Sequence, residues 1–229
     1  MKRFILFDVD GTLIESPPST VQVTAIREHF DLEVSLAGVR TGGMTEQEIL
    51  TLLLKSAAWA DKEIKSAMPG LLKTLDVVCA REFQPGSTKL LPGVEDLLDA
   101  LDRLDATLGL ITGNLKSRAE LKLRDVGIWH YFSVGGYGDD PHEMRSDLVR
   151  LACERAGFRT DDLGVYVIGD TWRDIKAAVE AGVGNRVGLI GPRHPKEEFE
   201  EAGANIVLSS FVETEKVLEA FGIPSAELS

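Results

Sequence analysis

Two hydrophobic rhythms alternate along this chain. Short apolar runs close on Gly, Asp or Thr: Phe4-Ile5-Leu6-Phe7, Leu108-Gly109-Leu110-Ile111, Val165-Tyr166-Val167-Ile168 and Val187-Gly188-Leu189-Ile190. Unbroken runs of this length read as strands buried on both faces, the habit of parallel sheets. Ile206-Val207-Leu208 is a weaker run, and Tyr131 to Val134 is one more candidate. Between them, apolar residues recur every three or four positions. Val94, Leu97, Leu98, Leu101 and Leu104 form one stripe behind Pro92; Leu148, Val149, Ala152, Cys153 and Ala156 form a second; Ile175, Ala178 and Val179 form a third. Strands alternating with helices of this length predict an α/β core, a Rossmann-like parallel sheet flanked by helices and built with right-handed crossovers.

Residues 15–88 break the rhythm, because only helical patterns occur there: Thr20 to Phe30, Thr45 to Ser56, and Asp61 to Phe83. Thr45 and Glu48 are spaced as a capping box ahead of a leucine-rich run. Ile64, Met68, Leu71, Leu72, Leu75 and Cys79 keep helical phase, with Pro69-Gly70 a point where the segment could split. The expected organisation is an α/β core of residues 1–14 and 89–229, interrupted by a small all-helical domain of residues 15–88. Glu15-Ser16-Pro17-Pro18-Ser19 and Gln84-Pro85-Gly86-Ser87-Thr88 are its expected hinges.

Composition narrows the function. The 229 residues carry 25 Lys+Arg against 37 Asp+Glu, a formal net charge of −12. An acidic surface of this kind excludes a protein that grips nucleic acid by neutralising phosphates. It also means that chemistry on an anionic substrate needs a local cation. Cys79 and Cys153 lie in separate apolar stretches and read as reduced core thiols. Only four apolar residues precede Asp8, too few for a signal peptide, and no window offers the ~20 apolar residues of a membrane span. The expectation is a cytoplasmic protein with no membrane partner.

Chemistry collects at the strand ends. The first strand runs into Asp8-Val9-Asp10-Gly11-Thr12, and ligands of parallel sheets bind beyond the carboxyl ends of the strands. One carboxylate there can attack phosphorus and its neighbour can move protons, while Gly11 admits a close ligand and Thr12 adds a hydroxyl. The second strand ends in Thr112-Gly113-Asn114 before a helical segment, an arrangement suited either to N-capping or to an anion cradle. The third ends in Gly169-Asp170, with Asp174 one helical turn later. Asp8, Asp170 and a backbone carbonyl would make a hard-oxygen site suited to Mg²⁺; Asp174 equally fits a helix N-terminus.

Taken in order, Asp8-x-Asp10-Gly11-Thr12-Leu13, Thr112 and Gly169-Asp170-x-x-x-Asp174 resemble the haloacid dehalogenase superfamily of Mg²⁺-dependent phosphohydrolases, in particular its phosphoglycolate phosphatase-like branch. The resemblance spans the chain and includes a helical cap inserted after the first motif. It implies Asp8 as nucleophile and metal ligand, and Asp10 as general acid/base that also binds the metal through its backbone carbonyl. It implies Thr112, with the Gly113 and Asn114 amides, as the phosphoryl-binding group. Asp170 would be a metal ligand, and Asp174 a ligand or a support behind the ligands.

The family's lysine before the last acidic motif is missing: residues 138–146 hold no Lys, and Arg145 is the candidate in its place. Lys116 and Lys122 are the alternative cations. Asp139, Asp140 and Glu143 read as a solvated loop, the four histidines as lacking ligand-spaced partners, and Trp172 as packing. Arg40 to Thr45 is a Gly-rich turn that by resemblance can face the site. The expected activity is a Mg²⁺-dependent phosphatase acting on a small organic phosphomonoester through an aspartyl-phosphate, in a monomer or homodimer. The alternatives are a β-phosphoglucomutase-like phosphomutase, a 2-haloacid dehalogenase, against which Asp10 argues, and a catalytically silent binding protein.

Overall fold

The computed structural model describes residues 2–191 and 194–223; the remaining positions assigned to the core, 1, 192–193 and 224–229, lie outside the described residues. The chain begins with β1 (Phe4–Phe7), β2 (Ile14–Glu15), α1 (Val21–Phe30), α2 (Glu46–Ser56) and α3 (Asp61–Glu82). It continues through β3 (Lys89–Leu90), α4 (Val94–Arg103), β4 (Thr107–Ile111), α5 (Lys116–Asp125) and β5 (Val134–Gly136). Then come α6 (Arg145–Ala156), β6 (Val165–Gly169), α7 (Trp172–Ala181), β7 (Asn185–Leu189), α8 (Lys196–Ala202), β8 (Ile206–Leu208) and α9 (Thr214–Ala220).

Six strands form one parallel sheet in the order β5-β4-β1-β6-β7-β8. β1 is central, and its alternate residues enter opposite cores: Ile5 and Phe7 pack with Val94, Leu97, Leu98 and Leu101 of α4, while Phe4 and Leu6 pack with Val149, Ala152 and Cys153 of α6. All four side chains of β1 are fully buried. Each contributes roughly 1.5–3 kcal/mol by leaving water, which is why the strand reads as an unbroken apolar run. The chain first builds leftward from β1 to β4 and β5, then crosses to β6 and builds rightward. The switch point therefore lies between β1 and β6, a crevice flanked by Asp8 and Asp170.

Two expectations change. The fifth strand begins at Val134 rather than Tyr131, and residues 129–131 form a 3-10 turn. Two of its three residues, Gly135 and Gly136, have no apolar side chain to register, and the Tyr131 hydroxyl bonds Asp99 of α4. Pro69-Gly70 does not split α3, which runs unbroken for 22 residues. Met68, Leu71 and Leu75 all enter the same core and carry the helix across the missing N–H; Gly70 lies beneath the His29 ring of α1.

Helices α1, α2 and α3 share their own apolar core, built on Ala25, Ile26, Leu50, Leu53, Leu54, Leu71, Leu75 and Val78, which also takes in Leu115 ahead of α5. The Thr45–Glu48 capping box forms as its spacing predicts, with the Thr45 amide donating to Glu48 Oε2 at 2.6 Å. At either end of this helical segment, β2 and β3 pair antiparallel, Ile14 opposite Leu90 and Glu15 opposite Lys89.

Candidate active site

Asp8 follows β1 directly and is 94% buried, its amide donating to the Ile168 carbonyl of β6. Two residues on, Gly11 turns the chain with φ +93°, where a Cβ would sit 2.5 Å from the Asp170 Cγ. Only glycine combines that backbone conformation with that closeness. Asp170 leaves β6, and Asp174 lies in the first turn of α7, fully buried. Among the described residues, Asp8, Asp170 and Asp174 present carboxylate oxygens all within 4.8 Å of one another.

Arg145 faces this cluster. It is the first residue of α6, whose start is held by Asp147, a carboxylate that accepts from the Glu143 and Met144 amides. Its Nη2 donates to Asp8 Oδ1 at 2.8 Å and to Asp174 Oδ1 at 2.6 Å, and its Nη1 to the Gly43 carbonyl at 3.2 Å. The other Asp174 oxygen accepts from the Thr171 amide and hydroxyl. Arg145 thus bridges two buried carboxylates, and its planar fork also touches the cap. Burial, and then the Asp174 carboxylate, push the Asp8 carboxyl well above the usual range; Arg145 opposes them, and Asp170 and Asp10 add to the rise.

The Asp10 carboxylate has partners of its own. Its carboxylate accepts from Asn114 Nδ2 at 2.7 Å and from Lys122 Nζ at 2.7 and 2.9 Å. Burial raises this group's pKa, but the Lys122 charge and hydrogen bond, with the Asn114 hydrogen bond, outweigh it and hold the carboxyl well below the usual range. Thr112 directly follows β4, its amide donating to the Gly136 carbonyl, and its hydroxyl accepts from Asn114 Nδ2 at 2.8 Å and the Asn114 amide at 3.2 Å. The Asn114 amide therefore points at Thr112, whereas the sequence reading aims it at a phosphoryl group. Thr12 is fully buried beside Asp10 and Gly11, and its hydroxyl has no hydrogen-bond partner among the described residues.

The helical cap rests on the core. The Glu46 amide donates to the Gly113 carbonyl, and the buried Glu46 carboxylate takes Arg118 of α5 and Gln22 of α1. Gln47 reaches the carbonyls of Gly138 and Asp140. At Gly43 φ is +70°, and a Cβ would lie 2.6 Å from Thr171 Oγ1. The turn from Arg40 to Thr45 therefore does meet the site.

The 139–143 loop is more ordered than its charge suggests. Asp140 pairs with Arg155 and accepts from the Tyr137 amide, Asp139 accepts from the Lys116 amide at the start of α5, and His142 lies 3.1 Å from Thr45 Oγ1. Burial also separates the two cysteines from solvent, pushing Cys79 up to about 11 and Cys153 to about 12. Lys122 was visible in sequence only as a spare cation; the signal for more was a lysine set between Ala119 and Leu123 on the buried stripe of α5. The Glu46–Arg118 pair, 72 residues apart, left no such signal.

Comparison with known proteins agrees with this geometry. A family model described as haloacid dehalogenase-like hydrolase matches residues 5–186. Phosphoglycolate phosphatase from Escherichia coli is 27% identical, the match covering 98% of this chain and 94% of that protein. Among solved structures, a predicted phosphatase from Clostridium acetobutylicum has a TM-score of 0.70 at 22% identity, over 96% of this chain and 99% of that one. A β-phosphoglucomutase from Clostridium difficile has a TM-score of 0.66 at 18% identity, over 97% and 98%. Among the described residues, no helix is long and apolar enough to cross a membrane.

Proposed function

This chain belongs to the haloacid dehalogenase-like hydrolases, and we propose that within them it is a phosphoric monoester hydrolase, a Mg²⁺-dependent phosphatase of small organic phosphomonoesters. The observation that carries the reading is the buried Asp8 carboxylate, held by Arg145 beside Asp170 at the switch point of the sheet. The phosphoglycolate phosphatase relative supports the substrate class.

The acidic cluster fits a hard divalent ion. Asp8, Asp170 and Asp174 offer only oxygen donors in a buried site, and the Asp10 backbone carbonyl would be a further one. With both Asp174 oxygens engaged by Arg145 and Thr171, Asp8 and Asp170 would be the principal ligands and Asp174 the brace behind them. When bound, Mg²⁺ supplies positive charge that offsets the carboxylates and the phosphoryl oxygens.

The chain's own residues perform the displacement. An Asp8 oxygen attacks phosphorus, the bond to the leaving oxygen breaks, and the aspartyl-phosphate forms. Thr112 and the Arg145 guanidinium hold the transferring oxygens. The proton that the leaving oxygen takes enters with the substrate as its phosphate monoanion, the minor form above a second ionisation near ~6, and Asp10 relays it. Water then attacks phosphorus in turn, its proton passes by way of Asp10 to solvent, and inorganic phosphate leaves Asp8 free. The docked cap excludes bulk water and limits the site to small substrates.

Inorganic phosphate release from a panel of metabolite phosphates tests this. Turnover should require Mg²⁺ and vanish in Asp8→Asn with the fold intact. Turnover retained by Asp8→Asn would overturn the nucleophile, and isomerised sugar phosphate in place of phosphate would select a phosphomutase, which would keep the same core residues.

A further inference from the structure

Lys122 is a buried ammonium that the displacement chemistry does not itself require. It is 93% buried, on the face of α5 that also carries the fully buried Ala119 and Leu123. An ammonium in such a place costs several kcal/mol unless it is paired and hydrogen-bonded. Its three donors have three acceptors: Asp10 Oδ2 at 2.7 Å, Asp10 Oδ1 at 2.9 Å and Asn114 Oδ1 at 3.0 Å. Asn114 closes the ring, its Nδ2 donating to Asp10 Oδ2 and to Thr112 Oγ1. Lys122, Asp10, Asn114 and Thr112 thus make one network across α5 and the ends of β1 and β4.

The Asp10 side chain keeps 38% of its exposure. Water alone could solvate it, so what the network decides is where the carboxylate points. Sharing the Asn114 Nδ2 with the Thr112 hydroxyl keeps the Asp10 oxygen close to the group that would hold the phosphoryl oxygens. We propose that Lys122 is the positioning residue of Asp10, holding its carboxylate where water is activated in the second half-reaction. This rests on the phosphatase reading above. A fully satisfied network of this kind has one low-energy arrangement, so removing the ammonium frees the carboxylate to rotate into solvent.

Pre-steady-state release of p-nitrophenolate from p-nitrophenyl phosphate, with the Mg²⁺-loaded protein, tests the assignment. That leaving group departs without a proton, so forming the aspartyl-phosphate does not call on Asp10, whereas hydrolysing it does. In Lys122→Met we expect a burst near one equivalent at close to the wild-type rate, then a steady state ~10²-fold slower, within the range general base catalysis supplies. Lys122→Arg should recover part of the loss, and Asn114→Ala, which removes only one strut, should show a milder form of the same split. Burst and steady state falling together, or KM rising at unchanged kcat, would overturn the proposal.

A crystal structure of Lys122→Met supplies a readout independent of turnover: the Asp10 carboxylate should leave Asn114 Nδ2, and finding it still there would refute positioning. If the wild-type protein releases phosphate from no ester, the phosphatase reading fails, while this structure still decides the role of Lys122. Should Lys122→Met not fold, the same two measurements on Lys122→Gln, which removes the charge and keeps a polar side chain, decide it.

Discussion

Replacing Arg145 by methionine keeps the length of the stem and removes the charge that faces three buried carboxylates. Arg145 Nη2 bridges Asp8 and Asp174 at 2.8 and 2.6 Å, and the Asp8, Asp170 and Asp174 oxygens lie within 4.8 Å of one another. Removing one partner of a buried ion pair costs about 3–5 kcal/mol, because the remaining charge stays in a site that water does not reach. For a chain of this size each kcal/mol moves the melting temperature by about 2–4 °C, so Arg145→Met should melt roughly 6–20 °C below wild type in EDTA. Excess Mg²⁺ offsets some of the same negative charge, and the gap should narrow when it is added. Activity should not return with it. In the proposed mechanism this guanidinium holds a transferring oxygen, and losing one such donor lowers kcat by about 10²–10³-fold. Differential scanning fluorimetry with and without Mg²⁺, beside p-nitrophenyl phosphate turnover, reads both effects. A melting temperature in EDTA within about 2 °C of wild type would show that the carboxylates do not need this cation, and would refute the electrostatic account of the site.

Three other outcomes follow from the same geometry. In the metal-free protein the Asp8 carboxyl is raised by burial and by Asp174, so its contribution to stability is fullest in acid and is lost as pH rises through that raised value. A bound Mg²⁺ would take the ionised form, so the Mg²⁺-induced rise in melting temperature should grow as pH climbs above the usual carboxylate range, with protons released in calorimetry; a constant rise would contradict this. Gly43→Ala puts a Cβ 2.6 Å from Thr171 Oγ1 and 2.9 Å from Arg173 Cδ at φ +70°. It should lift the 41–47 turn off the core, lower kcat/KM by about 10²-fold and speed hydrogen exchange there, whereas unchanged exchange would deny that the turn docks through this residue. Cys79 and Cys153, raised by burial to about 11 and about 12, should resist thiol reagents at about pH 8 until the protein unfolds, and prompt labelling of the native protein would count against their burial.

How legible these features were in sequence depended on how local their physics is. β1 announced itself because Phe4 and Leu6 face one helical layer and Ile5 and Phe7 the other, so no polar residue interrupts the run. β5 did not, because Gly135 and Gly136 contribute backbone to the sheet and nothing to a hydrophobic count. Asp8 and Asp170 stood out as carboxylates ending apolar strands. Arg145 could be placed at a helix start, but its second task, holding the Gly43 carbonyl, joins residues 102 apart and has no local signature. The same holds for Arg118 and Glu46, whose pairing depends on how the cap meets α5. The charges of residues 139–143 suggested solvent; their partners, Arg155 and the Lys116 amide, come from elsewhere in the chain and become neighbours only in the folded sheet.

The β2–β3 ribbon bears on how such a chain can be rebuilt. Because Glu15 lies directly opposite Lys89, the chain leaves the α/β body and returns to it through two points one strand spacing apart, about 5 Å. A two- or three-residue turn could join them. Everything between could then be deleted, or exchanged for an unrelated insert whose ends meet at that distance, without disturbing the register of the main sheet. The body that carries Asp8, Thr112 and Asp170 is in that sense a socket. Transplanting a foreign insert at these two positions would change which molecules reach the nucleophile while leaving the nucleophile in place.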